Sequence, residues 1–253
     1  MSASYEIKFE QPTNFVDLDD EAYTKDRNKE ISNASHNKQL IEQLIDKCDS
    51  LNVNLLHQHL TDSDISTVIN AAIIKKKCNE LRLGYNNITC EGIKILVGAL
   101  QNNTSLERLN LFANQISDQG VYYLTEMLLL NNFKLKILFI GQNQITDKGV
   151  EYLSEMLKTN TILTHLGLSN NKISDEGVIL LANALMNHNK TLKELYLWGN
   201  QSIGDNCIDA LADMLVYNRT LNKLILFDCN LSELSKDRLK EVIKPRNDFE
   251  LCL

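Results

Sequence analysis

The sequence predicts an α/β solenoid of about seven repeats, with parallel strands on one face, helices on the other and a cap at each end. Two observations predict it. A motif of the form Leu-x-Leu-x-x-Asn-x-Ile returns every 28 or 29 residues. Each copy also divides into a stretch of period two followed by a stretch of helical period. Composition agrees: of 253 residues, 43% are hydrophobic, with only two prolines and ten glycines, enough apolar material for a continuous core and too little punctuation for a disordered or fibrous chain.

Taken in order, residues 1–33 read as an acidic N-terminal tail that carries the run Asp17-Leu18-Asp19-Asp20-Glu21. Residues 34–50 hold a capping helix, His36 to Cys48, whose apolar side is Leu40, Ile41, Leu44 and Ile45. Residues 51–244 are repeats. The first copy is degenerate (Val53, Leu55, Gln58, Leu60). The next are Leu81, Leu83, Asn86, Ile88; Leu109, Leu111, Asn114, Ile116; and Leu138, Ile140, Asn143, Ile145. Then come Leu166, Leu168, Asn171, Ile173; Leu195, Leu197, Asn200, Ile203; and Leu224, Leu226, Cys229, Leu231. First positions step by 28, 28, 29, 28, 29 and 29 residues.

Within a copy, alternation such as Leu109 and Leu111 against Asn110 and Phe112 marks a short strand with one buried face. The stretch Gly149 to Leu157 then carries one broad apolar face of an amphipathic helix. Ser117-Asp118, Thr146-Asp147 and Ser174-Asp175 are helix-start signals, since these residues cap free N–H groups and complement the helix dipole. Asn102-Asn103, Asn131-Asn132 and Asn187-His188 suit exit turns in the left-handed region. The column Asn86, Asn114, Asn143, Asn171, Asn200 is a structural ladder. Its amides can donate to and accept from backbone groups that have left the sheet, where an unpaired buried polar group is costly. Cys229 stands in that column with only a weak donor. Ser235 to Lys244 is a last helix stopped by Pro245, and residues 245–253 form the C-terminal cap, with Phe249-Glu250-Leu251 as an edge strand. Repeat arrays need such caps.

The run Leu163-Thr164-His165-Leu166-Gly167-Leu168-Ser169-Asn170-Asn171-Lys172-Ile173-Ser174-Asp175-Glu176-Gly177-Val178 resembles the ribonuclease-inhibitor type of leucine-rich repeat, over about residues 50–245. The resemblance implies a horseshoe with strands on the concave face and helices on the convex face. The family includes ribonuclease inhibitor, the sensor ends of nucleotide-binding immune receptors and the activating protein of the Ran GTPase.

Regular repeats place the outward strand positions in columns. Trp198, the one tryptophan of the chain, falls beside Tyr196 and Phe227. Phe112 and Phe139 form a second aromatic cluster, and Gly141, Gly167 and Ser169 between them predict a shallow depression. Aromatics set on a rigid sheet favour a contact surface. Arg82 and Arg108 flank it on one side, and Glu194, Lys223 and Asp228 on the other; mixed signs suit protein recognition. The candidate partner-binding residues are therefore Arg82, Tyr85, Arg108, Phe112, Phe139, His165, Tyr196, Trp198 and Phe227. The reading is a non-catalytic module, a regulator or inhibitor, that binds a partner protein through the concave face.

Other classes fare worse. A net charge of −7 disfavours nucleic acid and anionic membrane. Cys48, Cys78, Cys90, Cys207, Cys229 and Cys252 contain no CxxC pair, so neither a disulfide framework nor a zinc site is expected. No signal peptide is legible in the first twenty residues, and no apolar run approaches the ~20 residues of a membrane span. The five histidines (His36, His57, His59, His165, His188) meet no Ser/Asp or Cys partner in the expected geometry, and no phosphate-binding loop or His-Glu-x-x-His helix occurs. No enzyme activity, cofactor, metal or small-molecule substrate is expected. The alternatives are a GTPase-activating role of the Ran-activator type, using Arg82 or Arg108 on the transferring phosphoryl group, and a translocated bacterial effector, since the Asn, Lys and Ile richness suggests an AT-rich genome. The expected setting is a monomer in the cytoplasm, or in the host cytosol for an effector. Of the glycosylation sequons at Asn87, Asn103, Asn200 and Asn218, the one at Asn200 conflicts with its ladder position.

Overall fold

The repeat period becomes an eight-stranded parallel sheet, β1 to β8, with strand order equal to chain order. The structure is a computed structural model that describes residues 38–101, 103–130 and 134–253; the predicted tail (residues 1–33), residues 34–37 of the predicted cap, and Asn102, Asn131 and Asn132 lie outside them. The strands are β1 Asn52–Asn54, β2 Glu80–Arg82, β3 Arg108–Asn110, β4 Ile137–Phe139, β5 His165–Gly167, β6 Glu194–Tyr196, β7 Lys223–Ile225 and β8 Glu250–Cys252. Each is three residues long, because only the Leu-x-Leu stretch alternates. Register follows the period: Val53, Leu81, Leu109, Leu138, Leu166, Leu195, Leu224 and Leu251 pair in succession.

On the other side run α1 Lys38–Lys47, α2 Ile65–Val68, α3 Cys90–Leu100, α4 Ser117–Leu129, α5 Asp147–Leu157, α6 Asp175–Asn187, α7 Ile208–Tyr217 and α8 Glu233–Ile243. The core lies between the layers. In a central repeat it takes Leu138, Ile140 and Ile145 with Val150, Leu153, Met156 and Leu157, all fully buried, each contributing about 1.5–3 kcal/mol of apolar transfer. The cap helix α1 buries Ile41 and Ile45, while Leu40, expected on that face, is exposed. Its last carbonyls are met by the Lys76 ammonium, which donates to Ile45 O at 2.6 Å and Cys48 O at 2.8 Å. The degenerate first repeat has an irregular helix: α2 widens into a π-helical stretch, Ile69–Lys75.

Each of β1 to β7 is left through one residue in the left-handed region: His57, Tyr85, Ala113, Gln142, Asn170, Gly199 and Asp228, with φ between 53° and 74°. The next residue is the ladder position. Asn86 Nδ2 donates to Leu55 O and Leu83 O at 2.9 Å, and its Oδ1 accepts from Gln58 N and Leu60 N at 3.1 and 2.9 Å. Every ladder amide thus ties its own turn to the preceding repeat. Cys229 reaches Leu197 O from Sγ at 3.5 Å.

Two further ladders appear. The aspartates at helix starts serve the next repeat rather than their own. Asp118 Oδ1 accepts from Thr146 N at 2.8 Å and Gly149 N at 3.1 Å, and its Oδ2 from Thr146 Oγ1 at 2.7 Å. Asp62 serves Thr89 and Asp147 serves Ser174 in the same way. The exit-turn asparagines form the other ladder: Asn160, Asn189 and Asn218 donate to carbonyls of the preceding repeat and accept from N–H groups two and three residues ahead. None of Asn103, Asn160, Asn187, His188, Asn189 and Asn218 is left-handed, so the expected exit conformation is corrected: a side-chain bond does that work. Arg246 ends this ladder, with its guanidinium donating to Leu215 O, Asn218 O and Leu221 O and lying over the Phe249 ring at 4.3 Å.

The aspartate ladder has one gap, at Cys90. Ser117, one repeat on, lacks the carboxylate that Thr146 and Ser174 enjoy, turns to φ 57° and makes no side-chain cap. Cys90→Asp is expected to restore the link and stabilise the fold by ~1 kcal/mol, seen as a melting temperature raised by ~2–4 °C. An unchanged or lower melt would show that Ser117 turns for another reason.

Candidate functional site

The strand face is built by three columns per strand, and the structure assigns the predicted residues very different roles. Gly141 and Gly167 are not a depression. A Cβ on Gly141 would stand 2.7 Å from two carbons of the Phe112 ring, and one on Gly167 would stand 2.4 Å from Phe139 Cδ1. Each phenylalanine lies down across the glycine of the following repeat. Phe112 is consequently 7% exposed. Phe139 spans Gly167 to meet Tyr196 edge-on, with centroids 6.0 Å apart. Tyr196 is 2% exposed, so the expected exposure of Phe112 and Tyr196 is corrected: both pave the face.

At the N-terminal end Tyr85 stacks on His57 at 4.2 Å and meets Phe112 at 5.5 Å. At the C-terminal end Trp198 and Phe227 stack in parallel, 5.2 Å apart and 7° from coplanar. Phe227 is 40% exposed, and Trp198 is half-buried. Among the described rings of this face Phe227 is the exposed one, while Tyr85, Phe139 and Trp198 are half-buried.

The charged residues form pairs within and across strands. Glu80 holds both arginines: Arg82 Nε lies 2.6 Å from Oε1, and Arg108 Nη1 lies 3.7 Å from Oε2. His165 Nε2 lies 3.2 Å from Glu194 Oε1, whose other oxygen accepts from the Tyr196 hydroxyl. Lys223 Nζ lies 2.8 Å from Glu250. The sequence reading missed Glu80 and Glu250, and His57 as a stacking partner. The legible signal was opposite charge in the same column one repeat apart, since register partners face each other. Burial holds His165 below the ordinary imidazole value against the opposing pull of Glu194. Burial, reinforced by Glu194, pushes the Tyr196 phenol upward.

Burial pushes the Cys78 and Cys229 thiols up to about 11 and the Cys207 thiol up as well, so these three are inert toward nucleophilic attack at neutral pH. Among the described residues no His, Cys, Asp and Glu cluster could hold a metal ion, and no helix is long and apolar enough to cross a membrane.

In-register three-residue strands, alternating helices and an asparagine ladder at each turn define a repeat solenoid of interlocked α/β units. A family model for the leucine-rich repeat matches residues 102–124, 131–154, 159–182 and 188–212. The mouse ribonuclease inhibitor is 30% identical over 194 residues, which cover 76% of this chain and 42% of that protein. Mouse NACHT, LRR and PYD domains-containing protein 9B is 31% identical over 203 residues, 79% of this chain and 20% of that protein. Among solved structures, an internalin from Listeria monocytogenes superposes with TM-score 0.48 at 20% identity, covering 84% of this chain and 63% of that one. The chain carries leucine-rich repeats and is similar to proteins of the ribonuclease-inhibitor type. It spans less than half the length of these two relatives. The repeats and the relatives support a protein-interaction module.

Proposed function

We propose that the chain is a non-catalytic module that holds a partner protein against its strand face, with Trp198 and Phe227 as the principal contacts. One observation carries this reading. The face fills its own glycine gaps with Phe112 and Phe139, yet ends in a stacked pair whose Phe227 ring is exposed and whose Trp198 ring is half-buried. Stacked rings are a flat, preorganised apolar surface that loses little side-chain entropy on contact, the property that makes aromatics binding hot spots. Arg82, Arg108, His165 and Tyr85 lie on the same face and set register around that centre. GTPase activation gains no support from this geometry, since a guanidinium that stabilises a transferring phosphoryl group must aim its donors at it, whereas both arginines are drawn to Glu80.

Trp198→Ala and Phe227→Ala are each expected to weaken capture of the partner by about tenfold or more, with a melt close to wild type. Arg82→Ala is expected to change capture much less. Undiminished capture by the Trp198→Ala, Phe227→Ala double variant would refute the reading.

A further inference from the structure

Four residues in the middle of the strand face are joined by hydrogen bonds in an order that depends on one proton. His165 Nδ1 lies 2.7 Å from Thr164 Oγ1, which lies 3.0 Å from Lys136 O. On its other side His165 Nε2 faces Glu194, which also accepts from Tyr196. A neutral imidazole has one N–H. The Glu194 carboxylate accepts and cannot donate, so the proton belongs on Nε2. Nδ1 must then accept from the Thr164 hydroxyl, which is diverted from Lys136 O. A second proton on the ring reverses this: Nδ1–H donates to Thr164, and the hydroxyl turns to Lys136 O. Both arrangements use the same heavy-atom positions, so the exchange needs a hydroxyl rotation and no repacking.

We propose that His165, Glu194, Thr164 and Tyr196 form a proton-responsive element of the strand face, switching the His165–Glu194 pair from net −1 to neutral as it takes up a proton. The surroundings keep that charge change local. The neighbour on β4 is the apolar Ile137, and Lys136 offers its carbonyl rather than its ammonium, which pairs with Glu107. Lys193, just before β6, and Arg108 on β3 oppose protonation, while Glu194 favours it. On β7, Lys223 is engaged with Glu250 and lies 5.9 Å from the Tyr196 ring centroid. Burial outweighs Glu194 and holds His165 below the ordinary imidazole value. The unfolded chain therefore binds this proton more readily, and acidification through the window below about pH 6.5 costs stability. The element belongs to the free chain and does not depend on the partner reading above.

The test is nitrogen-15 NMR of the full chain labelled at histidine and tyrosine, titrated from pH 8 to 4.5. Wild type is expected to show His165 with its proton on Nε2 at pH 8, and Tyr196 resonances that shift with the His165 titration. Glu194→Gln is expected to move the His165 midpoint down by about one unit, and Thr164→Val to move it down as well. A proton on Nδ1 at pH 8 in wild type, which needs no variant to fold, would overturn the proposal. So would a midpoint unmoved by Glu194→Gln.

Discussion

Asn200→Leu is expected to lower the free energy of unfolding by about 4 kcal/mol, the summed cost of several buried backbone groups left without partners at ~1–3 kcal/mol each. Asn200 is fully buried. Its Nδ2 donates to Leu168 O at 3.1 Å and Leu197 O at 2.7 Å, and its Oδ1 accepts from Asn171 N at 3.0 Å and Ile173 N at 3.2 Å. Leucine keeps the number and branching of side-chain heavy atoms and supplies none of these bonds, and the groups it strands belong to two repeats. Cys229→Ala is the internal control. That ladder position makes one long sulfur contact, and its loss is expected to cost ~1 kcal/mol or less. Urea unfolding of the three proteins measures both. Equal midpoints for Asn200→Leu and Cys229→Ala would show that the ladder is not what joins the repeats.

Gly141→Val is expected to cost about 3 kcal/mol and to expel the Phe112 ring. A Cβ here meets the ring at 2.7 Å and the Ser169 carbonyl oxygen at 2.8 Å. The ring can rotate away, but the carbonyl belongs to the turn after β5 and accepts from Gln142 N, so relief on that side disturbs the turn. Overpacking of this kind costs ~1–3 kcal/mol, and exposing a phenylalanine adds about 1.5–3 kcal/mol, from which relaxation subtracts. Gly98, with nothing within 4 Å of an added Cβ, is the comparison: Gly98→Ala lies inside a helix and is expected to stabilise slightly. Thermal melts decide. A Gly141→Val melt within a degree or two of wild type would mean that the ring is not seated on the glycine.

What was legible in the sequence was whatever repeats at one residue type per position. Leucines at strand positions 1 and 3 and asparagine at position 6 reveal strand, register and ladder, because a stacked array subjects each repeat to the same constraint. Side-chain direction toward the strand face was legible for the same reason. Exposure on that face was not. Whether Phe112 stands out or lies flat depends on the size of the residue one repeat later, and the columns were read as lists of protruding groups instead of as neighbours filling one another. Tyr196 is hidden by the same mechanism, beneath Phe139 and beside Glu194 and Lys223. The aspartates were read as caps of their own helices because local spacing suggests it. Their bonds run 27 to 31 residues ahead, a partner that only stacking supplies. Arg246 gave no signal, since arginine in place of the exit-turn asparagine breaks the pattern while its longer side chain still reaches the same kind of carbonyls.

The strand face as a contact surface can be tested through its own reporter, because Trp198 is the single tryptophan of the chain. With a partner captured on the wild-type chain and then added back in excess, Trp198 emission should move to shorter wavelength and its quenching by acrylamide should fall. Emission and quenching that stay at their free values while the partner is bound would place the contact elsewhere and contradict the account.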